Sequence, residues 1–416
     1  MSKRIAIVGG GIAGLTAAHA LVPRHHITLF EKSDRVGGNA YTLHTRDGER
    51  VDIAVAAFGR AGYPRFYGLL AEHAIATSLC ANSYMSFHNL DSGEGLYLTL
   101  TLAGLKSQRF DFLRPQHCLS GARLFWGLHQ AQKLLSRGEL EGLTLAQCLE
   151  RVPAIRKDTQ LILMCALCLL SSMSAEEVLN APAAFFLEKL RHHHDVISPK
   201  FIYSVRCVKE GTERYVHALA DRFKDRIVYQ AQIQTILRSP QGVAIVMRDG
   251  QVQEFDDVIL ACNADQAYDL LEQPSPLEHE LLRPWRFKEG HVVVHRDHQA
   301  FPPKSLIQAY TFLYTHRQGR METSVNGASW HEPQVSPASD YIIAQHPNYA
   351  IRPELVEFET HLRTPIFAHQ SCATIPRLPS LNGYQHTYFC GSYFGFGLHE
   401  DAVASAMAVA EFFKAP

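Results

Sequence analysis

At about 150 residues per domain, a chain of 416 residues allows two to three domains. Hydrophobic residues make up 46% and charged residues 19%, below the roughly 25% charge of an average soluble protein, so a large core is expected and disorder is excluded. Forty basic against 41 acidic side chains, a net charge of -1, rule out the clustered positive charge with which a protein grips nucleic acid. In chain order, the first element is RIAIV over residues 4–8, β-branched and continuous, which reads as a short buried parallel strand. It runs directly into glycines, and no signal peptide is expected. Gly9, Gly11 and Gly14 follow, opening the helix-like run LTAAHALV. The first glycine permits a tight turn, the second lets backbone approach a pyrophosphate, and the third lets helix and strand pack closely. The helix amides would then face the phosphates with the positive end of the macrodipole behind them. A second strand, HITLFE, ends at Glu31, twenty residues after Gly11, where a carboxylate can bind a ribose. Strand, glycines, helix and spaced acid together indicate a dinucleotide site.

The next segment, EKSDRVGGNAYT, separates one dinucleotide from another. Glu31, Arg35, Gly37 and Gly38 resemble the E-x-x-x-R-x-G-G extension of the flavin amine oxidase superfamily, which includes monoamine oxidases, phytoene-desaturase-like enzymes and bacterial relatives. The resemblance implies FAD, with Arg35 and the two glycines around its pyrophosphate and ribityl end. Ile12, Ala13 and Lys32 join the expected contacts. VDIAVAAFG stands where relatives carry V-D-x-G, with Ala54 in place of the glycine.

From about 61 to 205 the chain turns helix-rich and aromatic, with Phe125, Trp126, Phe185 and Phe186, and interrupts the cofactor domain as a substrate domain would. Its run Leu161–Leu170 is the longest unbroken apolar stretch, about half of a membrane span. Cys165 and Cys168 lie in that run; with no second ligand pair at matching spacing they read as packed thiols. Nine scattered cysteines, an odd number, fit a reducing cytoplasm better than a disulfide framework. Arg191-His192-His193-His194-Asp195 would point three ways from a helix and reads as a solvated or capping cluster, so no metal site is expected.

VKEGTERYVHALADRF resembles the family's glycine-rich helix start, with Glu210 where a glycine is typical. Residues 227–262 read as a strand, a hairpin turning at Asp249-Gly250, and a further strand. The resemblance places the backbone near Ile233 against the adenine. WRFKEGHVVVHRD, residues 285–297, reads as a strand. In amine oxidases this strand carries a lysine that holds a water at the flavin N5; counting back from HRD, that position falls on His291, with Lys288 three residues earlier. METSVNGASW and SDYIIAQHP look like the pocket floor, with Trp330 and Tyr341 as apolar walls.

The last elements are the strand TYFCG, ending at Gly391, and the helix DAVASAMAVAEFF. They resemble the family's F-A-G-E block, with Ser392 where the acid usually sits and Ala402 and Ala406 in place of glycines. Tyr393, Gly395, Gly397, His399, Glu400 and Asp401 match a Y-x-G-x-G-x-H-E-D form found in a bacterial subgroup of NAD/FAD-binding oxidoreductases. Gly391, Ser392, His399, Glu400, Asp401 and Ala402 are the implied flavin contacts; Asp401 and Glu400 also read as helix-end acids. Tyr393 and Phe394 stand where monoamine oxidases anchor the flavin covalently, so FAD is expected to be non-covalent. His291 and His399 are the candidate proton carriers, having unperturbed pKa values close to neutrality.

The expected fold class is α/β: a Rossmann-type FAD-binding domain from residues 1–60, 206–272 and 380–416, and an α+β substrate domain from 61–205 and 273–379. The expected function is an FAD-dependent oxidoreductase that takes hydride from, desaturates or isomerises a largely apolar, lipid or unsaturated acyl-like substrate. C–N oxidation of an amine or cyclic imine, and isomerisation without net redox change, are the alternatives. Oxygen or another molecule would accept the electrons, in the cytoplasm; no nucleic acid or membrane span is expected, and peripheral membrane contact stays open.

Overall fold

The computed structural model describes residues 2–54, 57–80, 85–98, 115–192, 205–317 and 320–414. Five parallel strands form the first sheet, in the order Ile227–Val228, His26–Phe30, Arg4–Val8, Asp257–Leu260 and Thr387–Phe389. Ile5, Ala6, Ile7 and all of Val258–Leu260 are fully buried, which is why these strands are apolar without alternation. Helix α1, Ile12–Leu21, packs against the last helix, His399–Glu411, so the two ends of the chain meet on one face. Ala13, Ala17, Ala18, Ala402 and Ala406 are buried between them, small residues that let the axes approach closely. The sheet reverses its winding between Arg4–Val8 and Asp257–Leu260, and a crevice opens beyond their carboxyl ends, as the topology of open α/β sheets requires.

The hairpin Ile233–Ser239, Gly242–Met247 and Val252–Phe255 leaves this sheet with its turn at Asp249-Gly250. A second sheet has seven strands, in the order Val356–Ile366, Arg286–His295, Ile342–Gln345, Arg320–Ala328, Tyr310–Arg317, Met85–Asn89 and Gly95–Leu98. It is antiparallel except where Tyr310–Arg317 runs parallel to Met85–Asn89, which joins a strand from the first half of the chain to strands from the second. Helices Pro115–Ser136, Leu145–Glu150, Lys157–Ser171, Ala175–Asn180 and Ala183–His192 pack on one another, and Lys157–Ser171 and Ala175–Asn180 rest on the strand Arg320–Ala328. Thr144 with Gln147 and Ser174 with Glu177 form capping boxes that fix two of their starts.

Cys165 and Cys168 are buried on Lys157–Ser171, and burial pushes the Cys168 thiol up to about 12, as expected of packed core thiols. The cysteines are not all dispersed, however. Cys80, just past the strand Thr77–Leu79, forms a disulfide with Cys207 on the antiparallel strand Val205–Val208, a pair 127 residues apart in sequence that spacing could not reveal. His192 ends its helix exposed; His193, His194 and Asp195 lie outside the described residues. Among the described residues no helix is long and apolar enough to cross a membrane.

Candidate functional site

The crevice at the switch point is a cavity of about 1050 Å³. Its floor is the turn from the first strand into α1. Gly9 has φ +107, and a Cβ there would lie 2.9 Å from the Ala261 carbonyl oxygen. A Cβ on Gly14 would lie 1.9 Å from the Gly9 carbonyl oxygen, so helix and turn can approach this closely only with glycine. At Gly11 a Cβ would meet no protein atom within 4 Å, because that side faces the cavity. The first turn of α1 has no acid and no side-chain cap, so its amides stay available to an anion, with Ile12 and Ala13 at the cavity wall.

The second glycine pair closes over the first. Gly37 donates its amide to Gly10 O at 2.7 Å, and Gly37 and Gly38 have φ +111 and +58. Glu31 accepts from the Gly10 amide at 2.7 Å and the Ser33 amide at 2.8 Å, which holds its buried carboxylate at the cavity edge. Lys32 and Arg35 line the same wall; the Arg35 guanidinium lies 3.9 Å from the Tyr41 ring centroid and donates to Gly38 O. Partial burial lowers its pKa. Ile233, at the start of its strand, closes the far end with Gln232 and Arg248. A cradle in which glycines leave room, amides face inward and two cations stand by fits the diphosphate of FAD.

The last strand and helix supply the opposite lip, where Gly391, Ser392, Gly397, Leu398, His399 and Ala402 line the cavity. Ser405 holds the turn by accepting from the Gly391 amide at 3.0 Å. His399 packs among Phe58, Phe66 and Tyr215, with Nε2 2.8 Å from the Tyr215 hydroxyl. Burial pushes its imidazole down to about 3, so at neutral pH it is an uncharged hydrogen-bonding group. Glu400 and Asp401 depart from the expected cofactor set, because neither is part of the cavity wall. Glu400 accepts from the Arg65 and Phe66 amides at 3.0 and 2.9 Å, capping helix α2, Pro64–Glu72. Asp401 accepts from the Phe396 and Leu398 amides at 3.0 and 2.8 Å, which folds the glycine loop back on its own helix. Burial raises its carboxyl to about 6.

The roof is the second sheet, and His291 is among the residues that line the cavity there. His291 pairs across the ladder with His361, stacks on it at 5.0 Å, and binds Glu359 at 2.7 Å. Gly290, His291 and Val292 of this strand all line the cavity, as does His361 opposite, and the His291 imidazole is engaged by Glu359. A Cβ on Gly290 would lie 3.4 Å from His346 Nε2, which puts His346 at that place on the roof. His346 has φ +51, and burial lowers its pKa. Lys288 is held by Glu177 at 2.5 Å and faces a neighbouring cavity. Trp330 and Tyr341 do not reach the cofactor cavity: Trp330 stacks on His298 and Tyr341 is packed behind the sheet. Tyr310, Phe367 and Tyr393 form the aromatic walls instead.

Three cavity groups escaped sequence reasoning. His346 carries no motif. Lys189, on Ala183–His192, is 1% exposed and lines the cavity, where nothing in the sequence separates it from a surface lysine. Glu332 is another lining residue, its carboxyl pushed well above the usual range by burial and by nearby Asp52. Asp52, at about 6, accepts from Thr42 Oγ1 at 2.6 Å and from the Thr212 amide at 2.9 Å.

A family model described as flavin containing amine oxidoreductase matches residues 12–307. Among curated proteins, an L-amino-acid oxidase of Naja atra is 45% identical over 53 residues, 12% of this chain and 10% of that protein. One from Crotalus adamanteus is 48% identical over 46 residues, 11% and 9% of the two chains. The matches therefore span about a tenth of those relatives. Among solved structures, a CLA-producing fatty acid isomerase from P. acnes superposes with a TM-score of 0.70 at 16% identity, covering 99% of each chain. Putrescine oxidase bound to putrescine gives 0.69 at 13% with 99% of each chain covered. Cyclohexylamine oxidase from Brevibacterium oxydans IH-35A gives 0.66 at 13% over 100% of both. At these identities the likeness is one of fold.

Proposed function

The chain belongs to the flavin containing amine oxidoreductases, FAD-dependent enzymes, and we propose that it removes hydride from, desaturates or isomerises an apolar, acyl-chain-like substrate. One observation carries this reading. The cofactor cavity adjoins a second cavity of about 1670 Å³, and the two share Ser172, Val325, Gln345 and His346. Leu161, Met164, Met173, Leu179 and Met321 line the second cavity, and Met side chains adapt to irregular apolar chains. An extended apolar substrate could lie in the second cavity with its reacting carbon at the shared neck.

Bound FAD supplies the two-electron chemistry by taking up hydride. The protein's part is geometry: α1 and the glycine turns hold the diphosphate, and the aromatic walls keep water from the reacting bond. His399, uncharged, orients through Tyr215. The proposed proton handler at the neck is His346, whose backbone lies in the left-handed region and whose amide N–H donates a hydrogen bond to His291 O. His291, which lines the cavity as well and is bonded to Glu359, stays the second candidate for that role.

A second reading, C–N oxidation of an amine, is favoured by Glu332, a cavity carboxyl able to bind an amine. The deciding experiment is mass spectrometry of products from a panel of unsaturated fatty acids and amines, with peroxide measured alongside. A product two hydrogens lighter, or an isomer without peroxide, from the acyl panel supports the first reading. Conversion confined to amines, with peroxide, replaces it by the second.

A further inference from the structure

A buried ammonium stands in the wall of the cofactor cavity with no anion among the described residues bonded to it. Lys189 is 1% exposed, and its Nζ lies 5.0 Å from the ring centroid of Phe367. Phe367 in turn packs beneath Gly397, where a Cβ would come within 2.6 Å of its ring, so Lys189 stands beside the carboxy-terminal glycine loop. Among the described residues it forms no ion pair and no hydrogen bond. Asp401 acts on it through space, but the Asp401 carboxylate is engaged by the Phe396 and Leu398 amides. Burial lowers Lys189 to about 8, which leaves it protonated at neutral pH. Keeping such a charge out of water is costly unless an anion meets it, and here the open side is the cavity.

Hydride taken from a C–H bond brings two electrons and one proton to a neutral flavin ring and leaves that ring with one negative charge. We infer that Lys189 is the cation that meets this charge, stabilising reduced FAD over oxidised FAD. A preorganised charge in a water-excluded site acts where charge develops and costs no rearrangement when it does. The inference rests on FAD binding in this cavity and is independent of which substrate is oxidised.

The test uses purified holoenzyme and Lys189→Met, which keeps length and apolar volume but removes the charge. Sulfite is the probe, because its addition to a flavin leaves the same negative charge on the ring as hydride does. The variant should keep FAD, bind sulfite at least tenfold more weakly, and have a lower two-electron potential, tenfold in that equilibrium being about 30 mV. Lys189→Arg should restore part of the sulfite affinity. Unchanged sulfite affinity and potential in FAD-loaded Lys189→Met overturn the inference. If those stay unchanged while oleate binding weakens and oleyl alcohol binding does not, the lysine belongs to a substrate carboxylate instead. Should neither variant hold FAD, wild type decides: a holoenzyme that forms no sulfite adduct overturns the inference, and one that forms it supports it.

Discussion

Two glycines in one turn serve different ends, and alanine separates them. Gly14→Ala forces a methyl to 1.9 Å from backbone oxygen, so the α1–strand contact must open and the apoprotein itself should lose thermal stability. Gly11→Ala meets no protein atom, and we expect a normally folded chain that purifies colourless, because its methyl occupies space needed by the diphosphate. Melting temperature and visible absorbance read the two effects separately; a yellow Gly11→Ala protein would refute the cradle. His399 makes a second contrast. Its imidazole has a folded pKa of about 3 against an ordinary 6.5, so the unfolded chain takes up a proton that the folded chain refuses. The stability it contributes is present above about 6.5 and is lost as pH falls toward 3. His88 and His295, each lowered to about 4 by burial, act in the same direction. Asp52 and Asp401, raised to about 6, act oppositely, their contribution being lost as pH rises through that value. His399→Gln, which can still bond Tyr215, should therefore move the acid unfolding midpoint to lower pH, as circular dichroism would record. It should leave the shape of the pH–rate profile between 5 and 8 unchanged. A lost limb in that profile would restore His399 as a proton carrier.

Helix ends show why some of the site was legible and some was not. The first strand, its glycines, α1 and the Glu31 strand follow from local chemistry: β-branched runs, a turn only glycine fits, and an acid at the next strand's end. The final strand and helix were legible for the same reason. What failed was side-chain pairing. His291 was reached by counting along its strand and does line the cavity, but its bond to Glu359 and its stack on His361 needed the neighbouring strand. Glu400 needed knowledge that α2, more than 300 residues earlier in sequence, brings its amino end alongside (its carboxylate bonds Arg65 N and Phe66 N with separations of 335 and 334). Glu400→Ala should cost about 1–2 kcal/mol of stability through loss of that cap, with FAD affinity retained. Asp401→Ala frees the Phe396 and Leu398 amides of the cavity lip, and should weaken FAD binding as well. Denaturant titration and FAD dissociation constants distinguish the two. Glu210 is the reverse case, where the sequence departed from the family and the structure explains the family's choice. Its φ is +65, the left-handed region in which a non-glycine residue is strained by about 1–2 kcal/mol. Glu210→Gly should be tolerated without loss of stability. Gly211→Ala, with its Cβ 2.6 Å from Thr42 Oγ1, should disturb the Thr42–Asp52 bond and destabilise.

At the scale of the whole molecule, the cofactor cavity is walled by segments that are remote in sequence: the glycine turns near the amino end, Ile233 and Arg248 in the middle, and Gly391 to Ala402 near the carboxyl end. Arg363, on the second sheet, bonds Asp265 at 2.6 Å and ties the roof to the floor. The proposed cofactor domain, 1–60 with 206–272 and 380–416, is therefore closed partly by protein contacts, such as α1 on the last helix, and partly by whatever fills the cavity. A ligand that binds only the folded form stabilises it by about 2.7 kcal/mol at a hundredfold excess over its dissociation constant. FAD should thus raise the melting temperature in proportion to the logarithm of its concentration, and stripping it should expose the chain to protease. The strand Thr387–Phe389 is the sheet's edge, yet it and the last helix cover Leu260 and α1. Ending the chain after Gly383 would expose these, and the fragment should neither hold FAD nor unfold cooperatively. A truncated chain that still bound FAD with wild-type affinity would show the last segment to be an appendage, and the proposed division of the molecule would fail.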